Sequence, residues 1–130
     1  MQTHSRPLSR FSPLRHLCSF VAILFLCSCA PSRSAIAEHE LRLKLAAVKL
    51  AAVQRSPDLL YQTSIAAMVE WTADQTVLQN SDTWSNCLNQ IAFAGDILCQ
   101  SPHGRTEDWQ ASQDRNWQII LGACDQILTR

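Results

Sequence analysis

The sequence predicts an all-α fold, a small four-helix bundle with mostly antiparallel neighbours. Three observations carry that expectation. The 130 residues include only three glycines, so few internal breakers interrupt the chain. Apolar residues recur at three- and four-residue intervals in successive segments, the period of a helix with one buried face. Short polar stretches separate those segments, which makes each helix fold back on the one before it.

The first helix is expected from Ala35 to Arg55, an Ala- and Leu-rich stretch in which Glu38 and Arg42, and Glu40 and Lys44, are oppositely charged pairs four residues apart. Leu41, Leu45, Val48 and Ala52 form one stripe, while Leu43 and Leu50 project from the opposite side. This helix therefore has two apolar faces. Either it is sandwiched inside the fold, or Leu43 and Leu50 are offered to a partner.

The second helix opens with Ser56 as N-cap, Pro57 at the first helical position and Asp58 against the positive end of the dipole. It is expected to run to about Leu78, with Tyr61, Ile65, Met68, Val69 and Thr72 on its inner face. Trp71 falls at the margin of that stripe and is a candidate exposed contact for a partner. Asn80, Ser81 and Asp82 make the next turn, and Asp82 or Thr83 opens a third helix whose stripe is Trp84, Leu88, Ile91, Gly95 and Leu98. Gly95 costs roughly 1 kcal/mol of helix propensity relative to Ala, which suggests a close crossing with a neighbour. The run Ser101-Pro102-His103-Gly104 breaks the chain. Thr106, followed by Glu107 and Asp108, then opens a fourth helix with Trp109, Trp117, Ile120, Cys124 and Ile127 inward.

Ahead of these helices lies a leader. Arg6, Arg10 and Arg15 precede an apolar stretch from Leu17 to Cys27, and no acidic residue occurs before Glu38. The stretch is about ten residues, short of the roughly 20 that a helix needs to cross a bilayer. It ends in Leu26-Cys27-Ser28-Cys29, which resembles the lipobox of bacterial lipoproteins. The resemblance implies a signal peptide over residues 1–28, cleavage before Cys29, and a diacylglyceryl group on the Cys29 sulfur with a further acyl chain on the new amino terminus. Two or three acyl chains give an anchor that hardly dissociates. Residues 29–34 would be the lipidated Cys and a short tether, and 35–130 the helical domain. Ala30 stands where an Asp commonly retains such lipoproteins in the inner membrane, so the resemblance implies the periplasmic face of the outer membrane. An ordinary secretory signal cut near Ala30 or Ala35, releasing a soluble protein, is the competing reading.

From Cys29 onward eight Lys and Arg face all eleven acidic residues, a net charge of −3. No Lys or Arg occurs from Ser56 to Gly104, whereas Asp58, Glu70, Asp74, Asp82 and Asp96 fall in that interval. Such a surface cannot neutralise a phosphate backbone, which argues against nucleic-acid binding. The basic segment from Arg33 to Arg55 could touch lipid headgroups or simply be a solvated helix face.

Removal of the leader and lipidation of Cys29 leave Cys87, Cys99 and Cys124 in an oxidising compartment. Cys87 and Cys99 are twelve residues apart on one expected helix, about 18 Å along its axis, against a limit of roughly 7 Å between bridged Cα atoms. In a hairpin turning near His103, Cys87 and Cys124 face each other within roughly 8 Å of slippage. A Cys87–Cys124 disulfide, with Cys99 free and buried near the turn, is therefore expected. Three reduced cysteines acting as small apolar side chains are the alternative.

Catalytic constellations are not evident. No Cys-x-x-Cys or His-x-x-x-His spacing points to a metal, and no cofactor is expected. A Cys99–His103 nucleophile lacks an orienting group, and Glu70 with Asp74 reads as a solvated face. Two classes of function follow. In plan and address the chain is similar to the pilotins of type II secretion, small outer-membrane lipoproteins whose helical domain captures a segment of another envelope protein; the likeness implies a non-enzymatic assembly factor with an envelope protein partner. A small exported all-α enzyme resembling the secreted chorismate mutases is the alternative, but that family holds a dicarboxylate with several cations, which the central half of this chain lacks.

Overall fold

The computed structural model describes residues 32–102 and 104–130. Four helices account for most of them: α1 (Arg33–Val53), α2 (Pro57–Asp74), α3 (Ser81–Leu98) and α4 (Thr106–Leu128), with no strand among the described residues. Each helix packs against two neighbours, α1 on α2, α2 on α3, α3 on α4 and α4 on α1, while the diagonal pairs stay apart. The result is a four-helix bundle closed into a ring. Its registers are antiparallel at every seam that side chains report. Lys49 and Arg55, successively later on α1 and just past it, meet Asp125 and Asp114, successively earlier on α4. Cys87 near the start of α3 reaches Ala123 near the end of α4. Leu60 at the start of α2 lies beside Gly95 at the end of α3.

The core is the inner stripe of three helices together with a thin contribution from the fourth. Leu41, Leu45 and Val48 of α1, Trp84, Leu88 and Ile91 of α3, and Trp117, Ile120 and Ile127 of α4 are all buried, on the periodicity that the sequence shows. From α2 only Leu60 and Ala67 are buried. The α1/α4 seam is reinforced at its polar edge. Arg42 donates to the Ile127 carbonyl at 2.8 Å, adding a side-chain donor in the last turn of α4 to a carbonyl that otherwise accepts from the Arg130 N–H at 3.3 Å. The same guanidinium pairs with Glu38 at 3.2 Å, and Lys49 lies 2.6 Å from Asp125, which raises the pKa of the lysine.

Helix boundaries follow local chemistry. Ser56 accepts from the Leu59 N–H at 3.3 Å and Pro57 occupies the first turn, as the sequence implies. The end of α1 is a Schellman motif: Ser56 N–H donates to the Ala51 carbonyl and Arg55 N–H to that of Ala52, each at 3.1 Å. Such a motif needs a left-handed residue, and here it is Arg55, at φ 50°. α1 begins at Arg33, two residues before Ala35, and α2 stops at Asp74 rather than continuing to Leu78. Leu78 is nonetheless buried, plugging the α2/α3 end of the core from the loop.

Two expectations about sulfur are corrected. Cys87, Cys99 and Cys124 are all free, so the expected Cys87–Cys124 disulfide is absent. Both residues lie in the α3/α4 seam, as the hairpin register implies, but the Cys87 thiol donates to the Ala123 carbonyl at 3.2 Å instead of bonding to Cys124. Both cysteines then serve as small buried side chains. Cys99, expected to be buried, is exposed, because α3 ends at Leu98 and the chain turns outward there. Gly95 does not mark an obligatory close crossing either: a Cβ there would meet Leu60 Cδ2 at 3.7 Å, ordinary van der Waals contact.

Candidate functional site

The helix that departs from its expected orientation creates the site. The apolar stripe Tyr61, Ile65, Met68, Val69 was expected to face the core, and all four side chains are exposed, Tyr61 at 62% and Val69 at 64%. α2 is rotated so that Leu60, Ser64, Ala67 and Trp71, spaced at four, three and four residues, face inward. The competing stripe has the smaller side chains. Small residues allow α2 to sit close to α1, and the space left by α1, α3 and α4 is already filled by their Leu, Ile and Trp residues. Larger apolar side chains are thus left on the outside.

Along its other edge α2 meets α3 in the loosest seam of the ring. The seam opens outward as a groove of about 120 Å³, walled on α2 by Leu60, Tyr61, Ser64, Ile65 and Met68, and on α3 by Ile91, Ala92, Gly95, Asp96 and Cys99. The groove continues onto a flatter apolar shelf formed by Ile65, Met68, Val69, Thr72 and Ala73. One carboxylate, Asp96, stands in its wall, and Ser64 Oγ is buried there without a hydrogen-bond partner. This arrangement holds apolar side chains by packing and leaves a hydroxyl and a carboxylate to orient them.

Leu43 and Leu50, suggested as partner contacts, are exposed at 54% and 59% on the outer side of α1, in line with Ile36 one further heptad back. Trp71 packs against the core partly buried, and its indole N–H is buried without an acceptor. Cys29 lies outside the described residues, as do the leader and His103, so the Cys99–His103 pairing is not described. Cys87 and Cys124 are unsuited to nucleophilic work: burial pushes the first thiol up to about 11 and the second to about 12, the neighbouring Cys87 and Asp125 adding to the latter. Glu70 and Asp74 form a pair at the end of α2 in which a shared hydrogen bond, desolvation and mutual repulsion raise the pKa of Glu70. No cluster of His, Cys, Asp or Glu able to hold a metal occurs among the described residues, and no helix among them is long and apolar enough to cross a membrane.

The groove residues were visible in the sequence only as misassigned core. One signal could have separated them: the alternative stripe of Leu60, Ser64, Ala67 and Trp71 satisfies the helical period equally well, and Leu59, Tyr61, Ile65, Met68 and Val69 are too many to share one buried face. Comparisons of the chain with protein-family models, with curated proteins and with solved structures find no match.

Proposed function

We propose that this chain is a non-enzymatic accessory protein of the bacterial cell envelope, anchored by lipid on Cys29 at the periplasmic face of the outer membrane and binding another envelope protein through the α2/α3 groove. The outward-facing apolar side of α2 is the observation that carries the reading. Tyr61, Ile65, Met68 and Val69 are exposed together on a helix that is otherwise well formed, and contiguous apolar surface of that kind marks an interaction site. The anchor is supported by the basic leader, its short apolar run and Leu26-Cys27-Ser28-Cys29. The Ser64 hydroxyl and the Cys99 thiol in the groove have no histidine beside them among the described residues, and the rest of the lining is packing surface with a single carboxylate, which favours docking over catalysis. The groove also has no cation to hold an anionic substrate.

Two measurements on the native protein test this. Intact mass of the detergent-extracted chain is expected to correspond to a start at Cys29 with acyl additions; a chain retaining Met1 without a fatty adduct overturns the anchor. A photo-crosslinker placed at Val69 in cells is expected to capture a discrete envelope protein, whereas the same group at exposed Gly122 is expected to capture none. Equal labelling from both positions overturns the docking site.

A further inference from the structure

Among the described residues every Lys and Arg belongs to α1, to α4 or to the segments beside them. α2 and α3 carry Asp58, Glu70, Asp74, Asp82 and Asp96 and no cation. The groove between these two helices is therefore apolar along its floor, with Asp96 in its wall and no cation on either helix. We propose that it binds one basic amphipathic helix of a partner protein, whose apolar side chains seat between α2 and α3 at Ile65, Met68 and Ile91 while its Lys or Arg residues face Asp96. The inference rests on the docking role proposed above and adds the chemistry of the partner.

Shape favours a helix over an extended strand. The walls are two antiparallel helices whose backbone N–H and C=O groups are already used within them, so a strand laid there would find no backbone partners and would bury unpaired amides. A helix carries its own hydrogen bonds and presents only side chains, which pack into the space between two others. Charge disfavours a second copy docked by the same face, since a two-fold contact would press two cation-free acidic surfaces together.

The test uses the full chain and two synthetic helical peptides matched in length to the 18 residues of α2. Both carry the same Leu face, one flanked by Lys and the other by Glu. Binding is read by fluorescence anisotropy, and its location by the alkylation rate of Cys99, which stands exposed at one end of the groove. The Lys peptide is expected to bind at least about tenfold more tightly than the Glu peptide, with an advantage that shrinks as salt rises. It is expected to slow Cys99 alkylation at least about threefold. Met68→Lys should weaken it at least about tenfold, Asp96→Asn about two- to fivefold, and Ile119→Lys on the exposed side of α4 not at all. Equal affinity for both peptides, or binding indifferent to Met68→Lys and Asp96→Asn, overturns the proposal. So does self-association of the chain that Met68→Lys abolishes. None of these outcomes depends on the anchor: failure at Cys29 leaves the peptide result intact, and failure here leaves the anchored adaptor with a partner of other chemistry.

Discussion

Gly122 stands in the interior of α4 with nothing within 4 Å of where a Cβ would lie, and its position demands no left-handed backbone. Replacing it with Ala removes unfolded-state freedom without a clash, so Gly122→Ala is expected to raise unfolding stability in urea by about 0.5–1 kcal/mol. Gly95→Ala is expected to do at least as well, because the added methyl would touch Leu60. A loss of stability in either variant would show that the helix crossing is tighter than described. The cysteines give a second residue-scale prediction. Among Cys87, Cys99 and Cys124, only Cys99 should react with iodoacetamide in the native protein, and all three after denaturation without reductant. Peptide mapping that finds Cys87 and Cys124 reactive only after reduction would contradict three free thiols. The sequence located the Cys87 and Cys124 sulfurs in one seam but not the carbonyl that competes for the Cys87 thiol, because backbone acceptors have no signature in residue types.

Among the elements, the corner between α1 and α2 is compressed into residues 54–56, where Ser56 both completes the Schellman motif and caps the next helix. Arg55 in the left-handed region lacks the freedom of glycine, and its guanidinium is paired with an exposed carboxylate of Asp114. The exposed pair is worth little, whereas a left-handed L-residue costs about 1–2 kcal/mol. Arg55→Gly is therefore expected to stabilise the protein by about 0.5–1 kcal/mol in chemical denaturation, and a destabilisation would mean that the Asp114 pair outweighs the backbone. At the other end of α2, Glu70 faces Asp74 on its own helix, with Lys44 and Glu40 of α1 nearby. Its pKa is raised, first by the shared hydrogen bond to Asp74 and then by desolvation and repulsion. A carboxyl with a raised folded-state pKa binds its proton more tightly when folded, so its stabilising contribution is present at low pH and fades as pH rises through that pKa. Glu70→Gln should accordingly raise the melting temperature at pH 7 and leave it unchanged near pH 3.5. A larger gain at acid pH than at neutral pH would reverse the assignment.

The caps explain why the elements were legible. Ser56-Pro57-Asp58 and Thr106 with Glu107 and Asp108 mark helix starts through local chemistry, which tertiary packing did not override. The inner stripes of α3 and α4 were legible for a related reason: each has one face of large apolar residues, and Trp84 and Ile120 have no rival face of equal size. α2 has two apolar faces, and periodicity alone cannot choose between them. Volume chose. Three helices already supplied the bulky core, so the face bearing Ala67 and Ser64 fitted inside and the face bearing Tyr61 and Val69 did not.

For the whole molecule, the consequence is a bundle with every described cation on the α1/α4 side and an apolar groove holding one carboxylate between α2 and α3. The absence of cations from residue 56 to 104 was plain in the sequence; that the two helices carrying it would also form the loosest seam was not, because seam tightness depends on which faces meet. The docking surface exists only if α2 is oriented as described. Urea unfolding of Tyr61→Lys, Val69→Lys and the double variant tests it most directly. Both side chains are solvent-facing, so each change is expected to shift stability by no more than about 0.5 kcal/mol, roughly additively. A loss of about 2–5 kcal/mol from either single variant would place that residue in the core and leave no outward apolar face for a partner to bind.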